Sequence, residues 1–213
     1  MSGFQSFNTA GAKVVDSVFY GTYYRDSKVY STISDTGYFE ISTPLGNGTD
    51  MGFAINPFPY NNDLQWFKFN NNAKVIFGYP YMTANAGTMA RTGYDVTTTS
   101  GYVDVFNAQG KLVWSAVTAA KVPRVTGFFE IPANYDLDNT AYSQSIGTNS
   151  WLLASDCPGN LNTDGTVSGY SGLFFKFSGG MLQAVWINRN QVSWANTLKP
   201  YGLKIPFAIL PNL

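Results

Sequence analysis

Apolar and polar positions along this chain alternate, or fall in short apolar runs of four to eight, bounded by Gly, Asn, Asp or Pro. That spacing is the signature of β-strands rather than helices. Ten segments carry it: Lys13 to Phe19, Gly37 to Ser42, Leu64 to Phe69, Lys74 to Phe77, Gly101 to Phe106, Lys111 to Ser115, Gly127 to Ile131, Leu173 to Phe177, Met181 to Ile187 and Leu203 to Ile209. Turn chemistry separates them, at Asn47-Gly48, Asp164-Gly165, Gly179-Gly180 and two Asn-rich clusters, residues 61–63 and 70–72. Glycine reaches positive φ without a steric penalty, and Asn or Asp closes turns through its side chain. Segments near Ala84 to Arg91 and Tyr142 to Ile146 are the only ones with any helical character.

Gly179-Gly180 lies between LFFKF and MLQAVWI, which predicts a hairpin with a two-residue turn. In its second arm Leu182, Ala184 and Trp186 share one face, with Met181, Gln183, Val185 and Ile187 on the other.

Two motifs recur in the same order. FNTAGAKVVDS, Phe7 to Ser17, matches FNAQGKLVWS, Phe106 to Ser115, with one residue of slack after the glycine. TGYFEIS, Thr36 to Ser42, matches TGFFEIP, Thr126 to Pro132. The first pair of motifs is about nine residues further apart than the second, which places an insertion at Tyr20 to Tyr30. The predicted unit is a meander: a hairpin closed by Asn and Gly, then a strand with Phe39 and Ile41, or Phe129 and Ile131, on one face and Glu40 or Glu130 on the other. The expected architecture is all-β, two tandem antiparallel β-sandwich-like halves related by a degenerate internal repeat. The expected domains are 1–96 and 101–213, divided at the polar stretch Asp95 to Ser100.

Composition narrows the function. Thirteen Lys+Arg balance thirteen Asp+Glu, and charged residues make up only 12% of the 213, against roughly a quarter in an ordinary globular protein. A neutral chain without a basic run is a poor ligand for phosphates, which argues against nucleic acid. With no histidine there is no Ser-His or Cys-His dyad and no imidazole metal ligand. No stretch approaches a membrane span, and the N-terminus has no basic start followed by an apolar core, so synthesis in the cytoplasm without a signal peptide is expected.

Few residues suggest chemistry. Asn160, Asn162, Asp164, Gly165 and Thr166 imitate the first half of a calcium loop, but Ser171 stands where glutamate is needed, and a plain Asp-Gly turn is the simpler reading. Asp136 and Asp138, or Asp35 and Glu40, are acid pairs of the kind glycoside hydrolysis uses, and equally ordinary polar loop residues. Cys157, in SDCPG, has no base to activate it. No cofactor, metal or catalytic residue is therefore expected. Aromatic side chains in turn-rich contexts suggest contact instead: Tyr20, Tyr23, Tyr24, Arg25 and Tyr30 in the inserted segment, Phe58 and Tyr60 in NPFPYNN, and Trp66. Tyrosine suits both protein interfaces and saccharide stacking.

The opening GFQSFNTAGAKVVDS and its echo GYVDVFNAQGKLVWS resemble the start of small virion proteins encoded in the tail module of tailed bacteriophages. Those proteins begin with a Gly-aromatic-x-x-Phe/Tyr-Asn-Ala-x-Gly hairpin and an apolar strand. The resemblance covers about fifteen residues in each half. It implies a non-enzymatic minor tail, tail-tip, baseplate or fibre-attachment protein located in the virion. Other tail proteins would be its partners, in a homo-oligomer or a symmetric hetero-assembly. The alternative is a carbohydrate-binding module that reads a host surface glycan.

Overall fold

Period-two patterning commits the chain to strands, and the aromatic content commits those strands to burial. The computed structural model describes residues 5–7, 9, 11, 13–16, 21–30, 38–39, 42–43, 45–47, 51–52, 63–77, 81–82, 85–163 and 168–210. It is mostly strand, arranged in several antiparallel sheets. The larger two have six strands each. The first runs Arg124–Ile131, Leu203–Ile209, Trp151–Leu153, Leu64–Phe69, Gly87–Gly93, Tyr23–Tyr30. The second runs Tyr81–Met82, Lys74–Ile76, Ser168–Ser178, Met181–Arg189, Tyr142–Ser145, with Gly159–Thr163 also on Ser168–Ser178.

An aromatic core lies between them. Phe69 of the first sheet stacks on Phe177 of the second at 5.6 Å, and Phe129 meets Phe175 edge-on at 6.0 Å. Phe77, just past Lys74–Ile76, meets Phe67 edge-on at 5.2 Å. Offset and edge-to-face pairs of this kind add to the area term. The second sheet is also covered on its far face, where Ile76, Phe174, Val185 and Tyr170 bury Leu45. Double coverage explains why LFFKF reads as a continuous run rather than an alternation.

The glycine pair forms the expected hairpin. Ser178 pairs with Met181, and Gly179 and Gly180 have φ of 58° and 86°, the two positive values a type I′ turn requires. Leu182, Ala184 and Trp186 belong to the main core and Val185 to the far one, as the alternation predicts. Phe129 and Ile131 are buried and Glu130 exposed, again as expected.

Other expectations give way. The segment near Ala84 to Arg91 is not helical: Gly87–Gly93 is a strand held between two others. Tyr142–Ser145 is likewise a strand. Within the insertion expected at Tyr20 to Tyr30, Tyr23–Tyr30 is an eight-residue strand rather than a turn-rich stretch. Among the described residues the α-helix is a single turn, Ala116–Ala119, whose first free N–H groups are partly satisfied by the Ser115 hydroxyl accepting from Thr118 N at 3.0 Å, and Ala154–Asp156 forms a 3-10 turn.

The division at 96–101 does not separate the sheets. Each six-stranded sheet takes strands from both sides of it. The polar stretch is a connection, and pairing partners lie across it.

The repeat holds for the hairpin. In the first copy Gln5 pairs with Asp16, Ser6 with Val15 and Phe7 with Lys13; in the second Asp104 pairs with Ser115, Val105 with Trp114 and Phe106 with Leu112. Both registers shift just before the Phe, and Gly11 and Gly110 have φ of 77° and 74°. The structural correspondence needs no slack: Asp16, not Ser17, stands where Ser115 does. Beyond the hairpin the copies part. Among the described residues Tyr38–Phe39 pairs with Met51–Gly52 in a two-stranded sheet, whereas Arg124–Ile131 is the end strand of the first sheet.

Candidate interaction surface

The expected contact residues divide into three groups. Tyr23 is fully buried and its hydroxyl donates to Val113 O at 2.8 Å. Trp66 is buried too, with Nε1 donating to Thr92 Oγ1 at 3.0 Å. Both rings are core, a correction to their reading as surface contacts: each lies on a strand whose neighbours cover it, and its polar atom is satisfied internally. Tyr24 is half-buried, its hydroxyl donating to Ser27 Oγ at 3.0 Å. Tyr30 closes its strand opposite Gly87. Tyr20, Phe58 and Tyr60 lie outside the described residues.

Arg25 belongs to a network of charges that the sequence did not reveal. Its Nε and Nη2 donate to Asp63 at 2.8 and 3.0 Å, and it also pairs with Asp95. Arg91, on the adjacent strand, donates from Nε to Asp26 Oδ1 at 2.7 Å and from Nη2 to the other Asp26 oxygen. Arg91 Nη1 lies 3.9 Å from Asp63 Oδ2. The Arg91 and Asp63 side chains are buried. A Cβ at position 93 would strike the tips of the Asp63 and Arg25 side chains, so a larger residue there has to displace the network. Hydrogen bonding from Arg91 holds the Asp26 carboxyl below its usual range, and Asp26 in turn raises Arg91; Asp63 does the same for Arg25. Charges paired this closely fix the end strand in place.

The other candidates have structural partners. Asp138 accepts from the backbone N–H of Trp194 and of Ala195, both at 2.9 Å, which anchors the turns that follow. Asp136 accepts from Asn139 Nδ2 at 3.0 Å and lies 3.8 Å from Lys199 Nζ. Asn160 and Asn162 are in the strand Gly159–Thr163, while Asp164, Gly165, Thr166, Asp35 and Glu40 lie outside the described residues. Burial pushes the Cys157 thiol well up, and its Sγ lies 3.6 Å from Leu153 O.

Exposed aromatics appear elsewhere. Tyr102 is 97% exposed, with a φ of 61°. Val103 N donates to Gly101 O at 2.9 Å across it, closing a three-residue turn about a positive-φ centre, a rare and strained arrangement for a bulky residue. Asp104 supports the turn, accepting from Gly101 N at 3.0 Å and from the Ser100 hydroxyl. Phe7 and Phe106, equivalent in the two hairpins, are 54% and 52% exposed. In the second hairpin Asn107 Oδ1 accepts from Gln109 N at 3.1 Å and Lys111 N at 2.9 Å, the side-chain closure expected from Phe-Asn-x-x-Gly. The Gly-Tyr-Val-Asp run, with an acid three residues after glycine, was the available signal for Tyr102.

No curated protein and no solved structure matches the chain. Residues 1–212 match one family over nearly their whole length, and the chain belongs to it: the domain of unknown function DUF8377.

Proposed function

We propose that this protein is a non-enzymatic structural component that works through protein–protein contacts in a symmetric assembly, of the kind found at a bacteriophage tail tip, baseplate or fibre attachment. The observation that carries the reading is the repeated hairpin, built twice in one register and exposing its phenylalanine both times. Tyr102 adds a third exposed ring, held out by a strained turn. Exposed aromatics are enriched where proteins meet. The resemblance of both hairpin segments to tail-module proteins supports the choice of assembly.

The saccharide alternative needs rings open on one face for stacking. Tyr23 and Trp66 are not open. Mass spectrometry of purified particles tests the reading: the chain is expected in the virion, and cross-linking is expected to join its hairpins to a neighbouring tail protein. Replacing Phe7, Tyr102 and Phe106 together by Ser is expected to abolish that cross-link. Absence from the particle would overturn the proposal, and a glycan array with saturable binding would replace it.

A further inference from the structure

Among the described residues, Arg124–Ile131, at one end of the first sheet, pairs with Leu203–Ile209 on one side only. Backbone groups along the opposite side of such an end strand are a template for another strand. Part of this row is already occupied, by a side chain. The Gln144 carboxamide donates from Nε2 to Phe128 O at 2.7 Å and accepts at Oε1 from Glu130 N at 2.9 Å. One amide bonded to a carbonyl and to the N–H two residues further on reproduces a residue of a parallel strand opposite Phe129. Gln144 itself lies on Tyr142–Ser145, the end strand of the second sheet. Its side chain therefore joins the ends of the two sheets and closes the row.

We propose that Gln144 is a plug that keeps this edge from pairing with the same edge of a second copy of the chain. Antiparallel pairing would draw on the N–H and C=O of both Phe128 and Glu130, and Gln144 holds one of each, so plug and partner exclude one another. The occupant follows from the charges of the strand. Arg124 is exposed at one end and Glu130, which also pairs with Lys204 of the adjacent strand at 2.7 Å, lies near the other, so two copies related by a two-fold axis bring each Arg124 toward the other's Glu130 carboxylate. Val125 and Phe128, 53% and 49% exposed, supply apolar area along the same strand. The inference stands on this geometry and does not depend on the reading of the assembly.

Sedimentation velocity on the full chain and its variants tests it. The unaltered protein is expected to be monomeric. Gln144→Ala is expected to dimerise about a thousandfold more tightly, because each of the two copies is relieved of a plug worth two ordinary hydrogen bonds. Gln144→Glu keeps the size and the acceptor but loses the donor, and is expected to dimerise as well. Adding Val125→Lys, a charge on the open edge, is expected to restore the monomer. Folded Gln144→Ala and Gln144→Glu proteins that stay monomeric would overturn the plug. So would self-association that Val125→Lys does not relieve, or an unaltered protein already dimeric through this strand.

Discussion

The two ends of the first sheet are secured by different chemistry. Tyr23–Tyr30 is tied down by Arg25, Asp26, Asp63, Arg91 and Asp95, five of the few charged side chains in a chain that is 12% charged. Arg124–Ile131 is closed by one neutral carboxamide and carries an exposed Lys204–Glu130 pair at 2.7 Å. The first end depends on charges gathered round the buried Arg91 and Asp63, whose loss one at a time is costly; the second depends on hydrogen bonds that water can replace. A low-charge protein still uses ion pairs, concentrated where a strand has a single neighbour among the described residues.

Removing charge from the first end should separate the two most. Arg91→Met leaves Asp26 without its partner and the buried Asp63 with one cation fewer, and is expected to lower stability by about 3 kcal/mol, read from urea unfolding. A cost no larger than that of Gln144→Ala would show that charge is not what secures this end. Acid should act in the same direction. Arg91 depresses the Asp26 carboxyl in the folded state, so its contribution is complete above the ordinary carboxylate value of about 4 and is lost as pH falls through the lower folded value. Amide protection at residues 23–30, taken relative to the intrinsic exchange rate at each pH, is expected to fall between about pH 4 and about pH 2, beyond the change at 128–130, because a carboxamide does not titrate there. An equal loss of protection at both ends would erase the contrast. Gln144→Ala is expected to cost the monomer about 1–2 kcal/mol. Lys204→Ala, breaking an exposed pair, should cost less than about 0.5 kcal/mol; a larger loss would mean that the second end also depends on charge.

Local chemistry was legible. Leu64–Phe69 and Leu203–Ile209 have the bounds their apolar patterns predicted, because each buries alternate or consecutive residues within one uninterrupted element. The Gly179-Gly180 turn and the Asn107 closure were legible for a similar reason: a two-residue hairpin needs positive φ, and Asn carries its own acceptor. Gly87–Gly93 was not. Its Met, Ala and Arg favour helix in isolation, and it is a strand because Leu64–Phe69 and Tyr23–Tyr30 supply ladders on both sides. The contact residues suffered likewise. Tyr23 and Trp66 look the same in sequence as Tyr102, and only the covering strands decide which rings are open.

By itself the sequence determined a mostly β protein, the Gly179-Gly180 hairpin turn, the Phe-Asn-x-x-Gly hairpins and the alternation that buries Phe129 and Ile131 while exposing Glu130. These follow from interactions within a few residues, or from a period of two. The tertiary structure alone decided that strands from both sides of residues 96–101 share sheets, that Arg25 meets Asp63, and that Gln144 closes the edge at Phe128 and Glu130. A pattern states which face of a strand is apolar. It does not name the neighbour, which is chosen by how the sheets bury their faces together.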